Sequence, residues 1–180
     1  MTGNGNGSGA EDGGGAGRRK AEALAAALGE HGFQGAAFAC ALETDSLRVV
    51  GRRGGTDDAL PVGTRLLPVC AIARPAGFLA DAGAAATAAG MEVTAPALTF
   101  RDHHDYPEAS LEKIRRAAAE GGAGAVLTTT KDGVKLRGRL GLPLVELPVR
   151  ARPEATFWSW LDGRLGRLTG ATGGAGEVSR

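Results

Sequence analysis

Leu66-Leu67-Pro68-Val69-Cys70-Ala71-Ile72-Ala73, followed by Arg74-Pro75, is an apolar run that ends on a helix-opening signal. A run of this length reads as a buried strand. Pro68 has no N–H to give to a ladder, which argues for an edge position or for the start of the strand. Pro75 fits the first turn of a helix, where a missing N–H costs nothing. Phe78, Leu79 and Ala82 then face inward through a helix expected to reach about Ala89, with Gly90 as its stop. A second apolar run, Met91 to Leu98, follows. Strand, helix and strand with a crossover of this length form a βαβ unit, which favours parallel, right-handed pairing. The fold class expected is α/β, with a mainly parallel sheet of about four to six strands flanked by helices.

Downstream, Phe100-Arg101-Asp102-His103-His104-Asp105-Tyr106 holds two of the three histidines and the only tyrosine. It lies at the carboxyl end of a strand, the edge where ligands gather in open α/β sheets. Histidine changes charge near neutral pH, so an Asp-His pair is a proton-handling unit. The plainer alternative is a polar loop in which Asp102 or Asp105 caps the next helix. That helix is expected from Pro107 to Ala119, with Leu111 and Ile114 inside and Gly121, Gly122 and Gly124 ending it. Ala125 to Thr128 reads as another buried strand, running into Thr129-Thr130-Lys131-Asp132 on the same sheet edge. Lys131 could hold an anion and Asp132 could hold the lysine, or the pair could simply start a short helix. Pro143 to Leu147 reads as the last strand. Glu154 to Leu168 reads as an amphipathic helix whose Trp158 and Trp160 pack it on the sheet. Upstream, Arg18 to His31 is helical by spacing, and Ala36–Leu42 and Leu47–Val50 read as strands. Arg52 and Arg53, in the Gly51–Gly63 loop, could meet an anionic ligand or be solvated.

Residues 1–17, rich in Gly, Asn and Ser, are expected to be a disordered leader, residues 18–168 the α/β domain and residues 169–180 a frayed tail. The leader contains no Gly-x-x-x-x-Gly-Lys-Ser/Thr and follows no strand, so it is no phosphate-binding P-loop. Lys plus Arg is 21 against 20 for Asp plus Glu, and a net charge of +1 implies no nucleic-acid partner. Cys40 and Cys70 both lie in apolar runs and read as buried thiols of a reducing compartment, matching neither a zinc spacing nor a disulfide framework. No apolar run nears the ~20 residues that span a bilayer, so a cytoplasmic location is expected.

Three stretches then carry a resemblance. Cys70-Ala71-Ile72-Ala73-Arg74-Pro75-Ala76-Gly77-Phe78, Phe100 to Tyr106, and Leu127-Thr128-Thr129-Thr130-Lys131-Asp132-Gly133-Val134-Lys135-Leu136 occur in one order and spacing, ahead of the Pro-rich strand. Together they resemble the C-terminal half of the tetraacyldisaccharide 4'-kinases (lipid A 4'-kinases), over roughly Gly35 to Leu165. The resemblance implies a P-loop-type kinase that uses ATP and Mg2+ to phosphorylate the 4' hydroxyl of a lipid A disaccharide precursor. It implies work at the cytoplasmic face of a Gram-negative inner membrane. His103 takes the place of the family's catalytic histidine, with Asp102 beside it, and the histidine pairs with a carboxylate of the N-terminal half. His104, Arg74, Lys131 and Asp132 fall in matching stretches and are expected to shape the site. The pattern departs at Thr130, where the family usually has Glu, and at Ala71, where it commonly has Gly. The P-loop lysine and the magnesium-binding carboxylates belong to the family's N-terminal half, which these 180 residues do not include. The chain is therefore expected to be a fragment, a truncated gene product or a split copy, inactive alone, for which an N-terminal kinase half is a possible partner. Two further readings stay open. One is a non-catalytic binding or scaffold domain. The other is an Asp-His-His phosphoesterase binding manganese, although no Asp-x-Asp cluster precedes Asp102 and Asp57-Asp58 lacks the spacing.

Overall fold

The structure, a computed structural model, describes residues 12–50 and 60–170. Arg52, Arg53, Asp57 and Asp58, most of the expected leader and the last ten residues lie outside them. In chain order the elements are α1 (Asp12–Gly29), β1 (Cys40–Thr44), β2 (Arg48–Val50), β3 (Arg65–Cys70), α2 (Pro75–Ala88), β4 (Glu92–Val93), β5 (Leu98–Thr99), α3 (Glu108–Gly121), β6 (Ala125–Thr129), α4 (Thr130–Leu136), β7 (Leu144–Leu147), β8 (Val149–Pro153) and α5 (Ala155–Gly170). They fall into two compact units, one of Thr44–Arg150 and one built from the segments before and after it. Helix α1 begins at Asp12, inside the stretch that composition assigns to the leader.

The Thr44–Arg150 unit holds the parallel sheet, ordered β2-β7-β6-β3-β4, with β5 also on β3. Strands β3, β6 and β7 pair in parallel, Leu67 facing Val126 and Leu127 facing Val145, and only β2 runs antiparallel, on β7. The α/β expectation holds, and so does the parallel β3-α2-β4 unit. Pro68, however, sits in the middle of the sheet. The reason lies opposite it. Thr94 N–H donates to Leu66 O and Phe100 N–H to Cys70 O, so Leu66, Pro68 and Cys70 turn their main-chain polar groups toward β4 and β5. Those two strands are separate two-residue pieces, and the break between them falls opposite Pro68. The missing N–H has no partner to disappoint.

Alternation along β3 then builds a core on each face of the sheet. Leu67, Val69 and Ala71 pack with Tyr106, Leu111, Ile114 and Ala118, on the side of α3. Leu66 and Cys70 pack with Phe78, Ala82 and Ala86, on the side of α2. Pro75 opens α2 at its first turn, and Gly122, in the left-handed conformation at φ 62°, closes α3.

A second, two-stranded sheet pairs β1 with β8. Strand β8, following Pro148, is an element that the sequence reading lacks. On α5, the Phe157 and Trp160 rings meet Phe38 at 5.5 and 5.2 Å. The tryptophans are not sheet-packing core residues: Trp158 is 54% and Trp160 39% exposed.

Cys40, expected to be buried, is exposed, whereas Cys70 is buried as expected. Burial pushes the Cys70 thiol up to about 11, with the nearby Asp132 carboxylate adding to the effect. A thiol reagent at pH 8 is therefore expected to label Cys40 in the native chain and Cys70 only after denaturation. Two rapidly reacting thiols in the native chain would contradict the core described above.

Candidate active site

The ends of β3, β5, β6 and β7 share one edge of the sheet, and the loop after β5 carries Asp102 and His103 across it. This loop is shaped by packing as well as by polar contacts. His103 and Tyr106 adopt φ of 60° and 52°, a region that disfavours side chains other than glycine. Tyr106 is fully buried, its ring edge-on to Phe100 and His104 at 5.3 and 5.1 Å. His104 lies flat on Phe100, ring centres 4.7 Å apart, and its Nε2 is 2.7 Å from Ser110 Oγ. Arg139 donates to Tyr106 O at 3.0 Å.

Helix α4 clamps the loop from the other side. Lys131 Nζ donates to Asp102 Oδ1 at 2.8 Å. One turn later, Lys135 Nζ donates to Asp105 Oδ1 at 2.8 Å and to the His104 carbonyl at 2.9 Å. These lysine hydrogen bonds hold both carboxyls below the usual carboxylate range. Because the folded values are depressed, the clamp's contribution is present above the unfolded value of about 3.9 and is lost as pH falls through the folded values. Resonances of residues 102–105 are expected to broaden or shift over that acid range while those of the sheet stay put. A loop that holds its shifts throughout would show the lysines to be incidental.

What fixes α4 is Asp132. Its carboxylate is buried and accepts from Ala71 N–H at 2.9 Å, tying α4 to the end of β3. Thr129 is the N-cap: its hydroxyl accepts from Asp132 N–H at 3.1 Å and donates to Asp132 Oδ2 at 3.0 Å, a variant of the capping box. Asp132 therefore does not hold Lys131, as the sequence reading allowed; it opens and anchors the helix. Nor does either aspartate of the loop cap α3, whose N-cap is Pro107 with no side-chain bond. The Tyr106 hydroxyl feels the charge of the Asp132 carboxylate. Burial, then Asp132, hold it far above its ordinary range, and it has no hydrogen-bond partner of good geometry among the described residues. On the far side, Gly133 abuts Glu146, where a Cβ would come within 2.9 Å of Cδ. Glu146 is itself buried between Arg48 at 2.6 Å and Arg137 at 2.9 Å.

The sequence-derived candidates thus divide. Asp102, His103 and Lys131 come together: His103 Nε2 is 3.7 Å from Asp102 Oδ2, and the His103 side chain is 79% exposed. His104 turns inward as a packing residue, and Asp132 braces from behind. Arg74 sits exposed at the end of β3, in the N-cap position of α2, without a side-chain cap bond. Lys135, Arg48 and Glu146 were not singled out from sequence. The four-residue step from Lys131 to Lys135, which puts both on one helical face, was the available signal for the first. Between the starts of β2 and α4 and the end of β7 opens a cleft of about 700 Å³ lined by Ser46, Arg48, Thr129, Thr130, Lys131 and Arg150, among others.

This donor set suits an oxyanion and a proton transfer. Among the described residues there is no group of three or more His, Cys, Asp or Glu that could hold a metal ion. They include no glycine-rich phosphate cradle for ATP either. No described helix is long and apolar enough to cross a membrane.

The profile of a family described as tetraacyldisaccharide-1-P 4'-kinase matches residues 15–166. Among individual proteins, the chain is 44% identical over 72 residues to a tetraacyldisaccharide 4'-kinase of Koribacter versatilis, a match covering 40% of this chain and 21% of that one. It is 41% identical over 85 residues to one of Anaeromyxobacter dehalogenans, covering 47% and 21%. It is 38% identical over 93 residues to one of Geobacter sulfurreducens, covering 51% and 24%. The matched region spans less than a quarter of the length of each of these relatives. No solved structure matches. With a family match that runs through nearly the whole described chain, from α1 to α5 and across the Asp102–His103 loop, this chain belongs to the tetraacyldisaccharide-1-P 4'-kinase family.

Proposed function

We propose that these 180 residues correspond to the C-terminal, proton-accepting portion of a tetraacyldisaccharide 4'-kinase, and that they are inactive without the family's N-terminal portion, which supplies the nucleotide site. One observation carries the reading: an exposed imidazole, His103, with a carboxylate 3.7 Å from its Nε2, presented on the ligand edge of a parallel sheet. In phosphoryl transfer most of the catalysis is positioning and charge neutralisation, and a base orients the attacking hydroxyl. His103 accepts the proton of the sugar 4' hydroxyl at Nδ1, the ring nitrogen that Asp102 does not face, and Asp102, 3.7 Å from Nε2, stabilises the imidazolium so formed. ATP and Mg2+ supply the phosphoryl group and its charge neutralisation when bound, at residues other than those described. The proposed substrate is a lipid A disaccharide precursor, met at the cytoplasmic face of the inner membrane.

The test is transfer from ATP to a tetraacyldisaccharide 1-phosphate, with the purified chain alone and then mixed with the P-loop portion of a related kinase. Transfer only in the mixture is expected. Transfer by the chain alone would refute the dependence on a second portion. A complex that forms but transfers nothing would favour a non-catalytic binding module, a reading supported by the exposed Leu24, Trp158 and Leu168 at 59%, 54% and 69%.

A further inference from the structure

Lys131 belongs to two neighbourhoods at once. Its ammonium holds Asp102 at 2.8 Å, and the same residue lines the cleft beside Ser46, Thr130 and Arg150. The cleft is rich in cations whose carboxylate partners are shared or exposed. Arg48 divides one carboxylate, Glu146, with Arg137. Arg150 pairs with Asp45, itself a lining residue, at 2.6 Å. The hydroxyls of Ser46 and Thr130 make no hydrogen bond within the described chain. The Lys131–Asp102 pair is half in solvent, with side chains 44% and 37% exposed, and such pairs hold weakly. A lysine is a mobile point charge on a flexible stem, and a phosphate oxyanion is a stronger partner for it than an exposed carboxylate. Asp102, once released, already has its second oxygen facing the His103 ring.

We infer that Lys131 is a ligand-operated switch: a phosphate-bearing ligand entering the cleft draws the ammonium off Asp102, and the freed carboxylate pairs with His103. Before the ligand arrives, Lys131 neutralises the group that supports the imidazole. Afterwards the same charge sits on the phosphate, and the Asp102–His103 pair is complete. The purpose of such coupling, arming the proton acceptor only when a phosphate is in place, rests on the phosphotransferase reading. The binding and the exchange of partners do not.

The probe is inorganic pyrophosphate titrated into this chain at fixed ionic strength, followed by calorimetry and by the Asp102 carboxyl and His103 ring resonances. Saturable binding is expected, with both resonances moving in step with it. Lys131→Met is expected to weaken binding at least tenfold. Asp102→Asn is expected to tighten it several-fold, a gain that vanishes when Lys131→Met is added. No saturable binding, binding unaffected by Lys131→Met, or an Asp102 carboxyl that stays fixed at saturation would each overturn the switch. The wild-type resonances decide the matter even if a variant misfolds. Since no turnover is measured, failure here leaves the kinase reading standing, and failed phosphoryl transfer leaves the switch standing.

Discussion

Asp132→Ala is expected to cost about 3 kcal/mol of folded-state stability, read as a fall of about 10 °C in thermal midpoint. The carboxylate is buried and is the partner of the Ala71 N–H at 2.9 Å, at the end of the central strand β3. Truncation leaves that donor buried without an acceptor, which costs more than the bond itself contributes. It also takes away the acceptor of the Thr129 hydroxyl at 3.0 Å and leaves a void where α4 meets β3. Asp132→Asn keeps an oxygen for Ala71 and is expected to lose less than half as much. The damage should extend to the loop, because α4 carries both lysines that hold it. A midpoint within about 2 °C of wild type for Asp132→Ala would mean that the brace is not where the structure puts it.

His103→Ala is expected to lower phosphoryl transfer by the reconstituted kinase about 100- to 10,000-fold, the usual range for a positioned acid or base. The KM for the lipid should change little, because a proton acceptor contributes in the transition state more than in binding. The informative comparison is with its neighbour. His104 is stacked on Phe100 with its Nε2 on Ser110, so His104→Phe keeps the stacking and should keep most of the rate. Equal losses in the two variants would show that the loop matters as a shape and that His103 is no base.

The sequence made the parallel sheet legible because the features that build it are local. The apolar run of β3, the Pro75 start and the Gly90 stop of the next helix all lie within one βαβ unit. Pro68 was misread because its tolerance depends on a break in the neighbouring strand, and no local signal reports what lies opposite. Cys40 was misread for a related reason: every residue of β1 is exposed, and an apolar run does not say whether a second layer covers it. Strand β8 carries Ala151 and Pro153, which argue against a strand by propensity. At the site, the Asp-His loop was legible from composition and its place after a strand. The partners were not. Lys131 finds Asp102, far away in the chain, in preference to Asp132 beside it, because the N-cap geometry of α4 turns Asp132 inward and the lysine out.

The break opposite Pro68 has a further effect, on how this sheet meets other chains. A strand added to an open sheet needs a continuous row of unpaired N–H and C=O groups. At one margin the described sheet offers only the two-residue pieces β4 and β5, and at the other the three-residue β2, which begins with the charged Arg48. Among the described residues, neither margin presents a long row of such groups. Along either described margin, a strand from another chain would find little continuous backbone to pair with.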